Sequence, residues 1–124
     1  MLRHIALNYA KNHAHMADPK TPGCEKPENN FAKQGGITNG AAWYSVGGGM
    51  QDFNYLSSND FEITLELGCV KYPEASQLKQ EWEDNKKALL EFMWMVRAKN
   101  STLSIFLYCE KCINHTVHND ASLF

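Results

Sequence analysis

No stretch of 18 apolar residues occurs in this 124-residue chain, so no segment is long enough to cross a membrane as a helix. The start, Met1-Leu2-Arg3-His4-Ile5-Ala6-Leu7, has neither a long apolar core nor a small-residue cleavage site and does not read as a signal peptide. Neither charge dominates: 12 Lys and Arg stand against 14 Asp and Glu, a net charge of −2. That balance excludes a strongly basic nucleic-acid surface. No internal repeat is visible, and the glycines form neither a G-x-G-x-x-G turn nor a phosphate loop ending in Lys-Ser/Thr. Cysteine is sparse, at four residues, and does not by itself fix a redox compartment. What is present is a 44% hydrophobic composition, enough for the core of one domain.

Residues 2–16 fit a helix, with Leu2, Ile5, Tyr9 and Met16 on one face. Residues 20–34 read as a loop broken by Pro22, Gly23 and Pro27. Ile37 to Tyr44 reads as a short strand entering the glycine turn 47–49. Phe61 to Leu67 is the clearest strand, with Phe61, Ile63, Leu65 and Leu67 on one face and Glu62, Thr64 and Glu66 on the other. A second helix starts near Ala75, after Pro73. Its apolar stripe is Leu78, Trp82, Leu89, Phe92 and Val96, interrupted by Asn85, and Glu83 with Lys87 makes an i,i+4 pair. Beyond Val96 no period is sustained, and Ile105-Phe106-Leu107 is a brief apolar run in a polar tail.

Alternation places Glu66 at the C-terminal end of its strand, opposite the aliphatics, where ligands bind in open α/β sheets. A carboxylate partly walled from water there can act as general base and then acid; the alternative is a solvated strand-end glutamate. Tyr44 precedes Ser45-Val46-Gly47-Gly48-Gly49, a segment free enough to swing a phenol over a substrate, or else it is a surface aromatic at a turn. Gln51 is a candidate for a specificity pocket, and Asp52 caps the following turn or holds a neighbour. Cys109-x-x-Cys112-x-x-His115-x-x-His118 contains zinc-ligand types, but the spacer is too short to wrap an ion. His13 and His15, two apart, do not share a helix face. Asn100 and Asn114 head glycosylation sequons, which matter only in the secretory pathway. Cys24 and Cys69 are 45 residues apart, too far for a local metal knuckle made by those two alone. They are a candidate disulfide in an oxidising compartment, or two free thiols.

Thr38-Asn39-Gly40-Ala41-x-Trp43-Tyr44, Gly48-Gly49-Met50-Gln51-Asp52-Phe53-Asn54-Tyr55-Leu56 and Phe61-Glu62-Ile63-Thr64-Leu65-Glu66-Leu67 closely resemble the C-terminal half of a zinc metallocarboxypeptidase domain of the carboxypeptidase E/N/D type. The resemblance covers about residues 2 to 96 and implies an α/β fold: part of a three-layer α/β/α sandwich around a mixed sheet, followed by an unrelated, irregular tail over 97–124. In that family a zinc-bound water cleaves the last peptide bond and releases C-terminal Arg or Lys. The resemblance implies that Glu66 activates the water and passes its proton on. It implies that Tyr44 closes on the substrate's C-terminal end, that Gln51 sits in the pocket for the released side chain, and that Cys24 pairs with Cys69. It also implies peptide C-termini as substrates and a secretory or extracellular location.

Three departures from the family pattern set further expectations. The family's His-x-x-Glu and later His ligands, its carboxylate-gripping arginines and its Arg/Lys-selecting acid all lie upstream of the matching segment. Zinc therefore belongs to the parent family, and this chain, read as a truncated product, is expected to bind none and to be inactive alone. Asp60 stands where the family usually has cysteine, which is costly if the position is buried and unpaired. The tail replaces the family's small β-sandwich. The alternative reading is a non-catalytic fragment that associates with a full-length homologue.

Overall fold

A computed structural model describes residues 1–24, 30–58, 60–98, 103–107 and 116–118. Its elements in chain order are α1 (Leu2–Asn12), a 3-10 turn (Ala32–Gln34), β1 (Ile37–Thr38), α2 (Gly40–Trp43), α3 (Met50–Ser58), β2 (Phe61–Glu66), α4 (Leu78–Ala98), β3 (Leu103–Leu107) and β4 (Thr116–His118). The strands form one open mixed sheet in the order β1-β4-β2-β3. β2 runs parallel to β3, with Ile63 opposite Ile105, and antiparallel to β4, with Leu65 opposite Val117. β1 runs parallel to β4. This is part of an α/β/α sandwich: α1 and α4 cover one face of β2, and α3 lies against the other. Among the described residues no helix is long and apolar enough to cross a membrane.

The core sits between α1, α4 and β2. Ile5, Tyr9 and Ala10 of α1 meet Ala88 and Phe92 of α4 over Ile63 and Leu65. The buried face of α4 is therefore Asn85, Ala88 and Phe92, while Leu78 and Trp82, expected on that stripe, stand more than half exposed. Asn85 looked like a fault in the apolar pattern. Instead its Oδ1 accepts from the Tyr9 hydroxyl at 2.7 Å, and its Nδ2 donates to the Glu81 carbonyl at 2.8 Å. Burial raises the Tyr9 phenol's pKa well above its ordinary value, so it stays a neutral donor. A hydroxyl and an amide paired inside the core join the two helices without leaving a polar atom stranded there. On the surface of α4, Glu83 pairs with Lys86, three residues on, rather than with Lys87.

Helix α1 ends at Asn12, four residues earlier than the periodicity indicates, and His13 gives the reason. Its backbone turns extended, and its Nδ1 accepts from the N–H groups of Met16 at 3.1 Å and His15 at 3.3 Å. Ala14 N–H then donates to the Asp84 carbonyl at 3.1 Å, docking the chain onto α4. Met16 still enters the core, from the loop rather than from the helix. Gly36 passes over it with φ +76°, and a methyl group added there would lie 2.3 Å from the Met16 carbonyl oxygen.

Ile37 to Tyr44 is strand only over its first two residues, because Asn39 turns the chain by capping α2, its side chain accepting from Ala42 N–H at 3.3 Å. The second helix starts three residues after Ala75, once a turn closed by Gln77 N–H on the Glu74 carbonyl is complete. Residues 97–124, expected as an irregular tail, include the last residues of α4 and contribute β3 and β4 to the sheet. Strands this short, one of them apolar at every position but Ser104, carry no readable period. Asp60 is half-buried and not abandoned: its Oδ2 accepts from Ser58 Oγ at 2.9 Å.

Gly36→Ala combines a left-handed backbone with a clash against main chain, and it is expected to lower stability by at least ~2 kcal/mol. Urea titration of the two proteins checks this; equal midpoints would contradict the close approach.

Candidate functional site

Alternation along β2 sends Ile63 and Leu65 to the core and Glu62, Thr64 and Glu66 to the other face. A sheet with one wet face would leave those three exposed, yet all three are buried, with Glu66 only 3% exposed. The cover is α3. Its residues Gln51 and Asn54, three apart and so on one side of the helix, point inward. Gln51 Nε2 donates to Thr64 Oγ1 at 2.7 Å, and Asn54 Nδ2 donates to Glu62 Oε2 at 2.5 Å. The outer side carries Phe53 and Leu56, both exposed. The helix is thus amphipathic in the reverse sense, polar in and apolar out. That is why 50–58 reads in sequence as a mixed polar and aromatic stretch rather than as a helix.

Two of the three residues singled out from the sequence come together on this face. Gln51 is hydrogen-bonded to β2 two positions before Glu66, and Glu66 ends that strand. Its burial excludes the solvated strand-end alternative. Tyr44 stands on the exposed segment between α2 and α3, at 45% exposure, its ring edge-on to Trp43, which in turn meets Phe31 edge-on. Gly49 leaves space for Gln51: a methyl group there would lie 2.7 Å from Gln51 Oε1. Asp52, in the first turn of α3, complements the positive end of the helix dipole. Thr64, Asn54 and Glu62 were not picked out from the sequence; the signal available was the i,i+3 spacing of Gln51 and Asn54 just before a strand with polar alternate positions.

Past Glu66 the chain is fastened by a disulfide. Cys69 is bonded to Cys24 with their Cα atoms 5.4 Å apart. Closing a loop of this length contributes on the order of 3–4 kcal/mol. Between them Gly68 comes close to α4, and a methyl group there would lie 3.6 Å from Glu81 Oε1. Glu81 has its pKa raised above the ordinary value, first by burial and then by the Asp84 charge, with His15 acting in the opposite sense. His15 Nε2 lies 3.9 Å from Asp84 Oδ2.

Among the described residues no three His, Cys, Asp or Glu side chains are grouped so as to hold a metal ion, so this set of donors does not fit zinc. Cys109, Cys112 and His115 lie outside the described residues, as do Asn100 and Asn114.

The profile of the zinc carboxypeptidase family matches residues 1–88. Carboxypeptidase E of Caenorhabditis elegans is 58% identical over 93 residues, covering 74% of this chain and 20% of that protein. Carboxypeptidase D of Rattus norvegicus is 55% identical over 92 residues, covering 73% of this chain and 6% of that protein. Carboxypeptidase Z of Mus musculus is 50% identical over 96 residues, covering 77% and 14%. The chain therefore spans a fifth or less of the length of these relatives. No solved structure matches it.

A glutamate whose folded-state pKa is raised supports the fold while protonated and loses that contribution as pH rises through the folded value. Wild type is therefore expected to lose stability relative to Glu81→Gln as pH increases from about 4.5, the ordinary value. Denaturant midpoints of the two proteins from pH 4 to 8 check this; a constant difference would contradict it.

Proposed function

Because this chain belongs to the zinc carboxypeptidase family, we propose that it forms the proton-handling and substrate-contacting face of an enzyme that removes Arg or Lys from peptide C-termini. The observation that carries the reading is the burial of Glu66 at the C-terminal end of β2, on the face to which Gln51 is tied. A carboxylate fixed there is placed to take a proton from water and pass it to a leaving amine. Gln51 lines the pocket for the last side chain. Tyr44, exposed on its own segment, closes over the terminal carboxylate with its phenol as donor. The Cys24–Cys69 bond supports a secretory or extracellular location, where disulfides persist.

The described donors do not fit zinc, and the reading assigns no hydrolysis to these 124 residues alone. A second reading, a non-catalytic module that associates with a longer homologue, draws on the large apolar side chains left outside. Phe53 and Leu56 on α3 and Trp82 and Trp94 on α4 are all more than half exposed.

The purified chain, given Zn²⁺ and a dansylated peptide ending in Arg, is expected to release no arginine. The same peptide is expected to shift the NMR signals of Gln51 and Tyr44. Arginine release that disappears in Glu66→Gln would overturn the inactivity, and unmoved Gln51 and Tyr44 signals would overturn the site.

A further inference from the structure

His13 closes the end of α1 by accepting twice at one ring nitrogen: Nδ1 takes the N–H of Met16 at 3.1 Å and that of His15 at 3.3 Å. A ring nitrogen that accepts carries no proton, so the neutral imidazole is held as its Nε2–H tautomer. A second proton would have to go on Nδ1, and it would turn the acceptor into a donor facing two donors. The residue is only 5% exposed, so water does not stand in for the lost bonds. The turn carries weight: Ala14 N–H docks on the Asp84 carbonyl at 3.1 Å, and Met16 fills the core beneath Gly36. Among the described residues, the titratable groups around the ring are Tyr9, with ring centroids 6.5 Å apart, His15, edge-on at 4.9 Å, and Asp84 and Glu81 on α4. Tyr9 stays neutral. His15 Nε2 lies 3.9 Å from Asp84 Oδ2, so a charge on His15 strengthens that contact, whereas a charge on His13 removes the acceptor that forms the turn.

We infer that His13 is an acid-operated latch: its neutral ring closes the turn over residues 13–16 and keeps Met16 in the core, and its protonation opens the turn and releases the segment that follows α1. The closed form takes up no proton at Nδ1, whereas the open form takes one as any imidazole does, at an ordinary value of about 6.5. Above that pH the latch is undisturbed, and below it opening becomes about tenfold easier for each pH unit. Glu81, which supports the fold while protonated, acts in the opposite sense. Asn at position 13 places a carbonyl oxygen where Nδ1 stands, an acceptor for the same two N–H groups that does not titrate.

The test follows amide hydrogen exchange in the ¹⁵N-labelled 124-residue chain at about pH 7.5 and about pH 5.5, each rate taken relative to that of an unstructured amide at the same pH. In wild type, protection of the His15 and Met16 amides is expected to fall about tenfold at the lower pH. His13→Asn is expected to protect both amides at the higher pH and to show no such fall. His15→Gln and Glu81→Gln are expected to keep the wild-type fall, because neither removes the His13 ring. Should His13→Asn fail to fold, the wild-type ring is read directly: its ¹⁵N signals are expected to show the Nε2–H tautomer at the higher pH and to titrate together with the loss of Met16 protection. Equal protection at both pH values in wild type, or the same fall in a folded His13→Asn, overturns the latch. So does a His13 ring that titrates while the Met16 amide stays protected.

Discussion

Strand β2 is enclosed on both faces, and most of what is unusual in this chain follows from that. Ile63 and Leu65 are fully buried on one side, each burial contributing roughly 1.5–3 kcal/mol. The other side carries two carboxylates and a hydroxyl, and each would cost on the order of 1–3 kcal/mol or more if buried without a partner. A covering helix with an apolar inner face would impose that cost. For Thr64 and for Glu62 Oε2, α3 lowers it by turning amides inward, Gln51 to Thr64 and Asn54 to Glu62. The apolar side chains of α3 are then left outside.

The core side is fixed by a different pairing. Tyr9 and Asn85 join α1 to α4 through one short hydrogen bond inside an otherwise apolar cluster. The turn made by His13, the docking of Ala14 on Asp84 and the close passage of Gly36 over Met16 hold the end of α1 against α4 and β1. The disulfide fastens the chain just after Glu66. The strand that presents the carboxylate is therefore held from its core face, its outer face and its C-terminal exit.

The position and type of two elements were legible in the sequence. The alternation of 61–67 marked β2, and the stripe Leu2, Ile5, Tyr9 marked α1. It failed where both sides are covered. Alternation in Phe61 to Glu66 implies a solvated polar face, and only the partner helix shows that the face is interior. α3 was missed because helix periodicity assumes that apolar residues point inward. Asn85 looked like an interruption because its partner is 76 positions away. Leu78 and Trp82 were assigned to the core because they fall near its face by spacing, yet the buried arc passes through Asn85, Ala88 and Phe92. The pairing of Cys24 with Cys69 and the roles of Glu66, Tyr44 and Gln51 came from family resemblance. The structure makes the bond and places Glu66 and Gln51 on a common face.

What this face can do chemically depends on Glu66 being sheltered, because a carboxylate enclosed at the strand end is held in place for a substrate while one in open water is not. Carboxyl footprinting with a carbodiimide and glycine ethyl ester, read by mass spectrometry on the folded chain, tests that most directly. Glu62 and Glu66 are predicted to resist labelling while Glu83 and Glu91 on the outer side of α4 react. Labelling of Glu66 as fast as that of Glu83 would contradict an enclosed β2 and the site built on it.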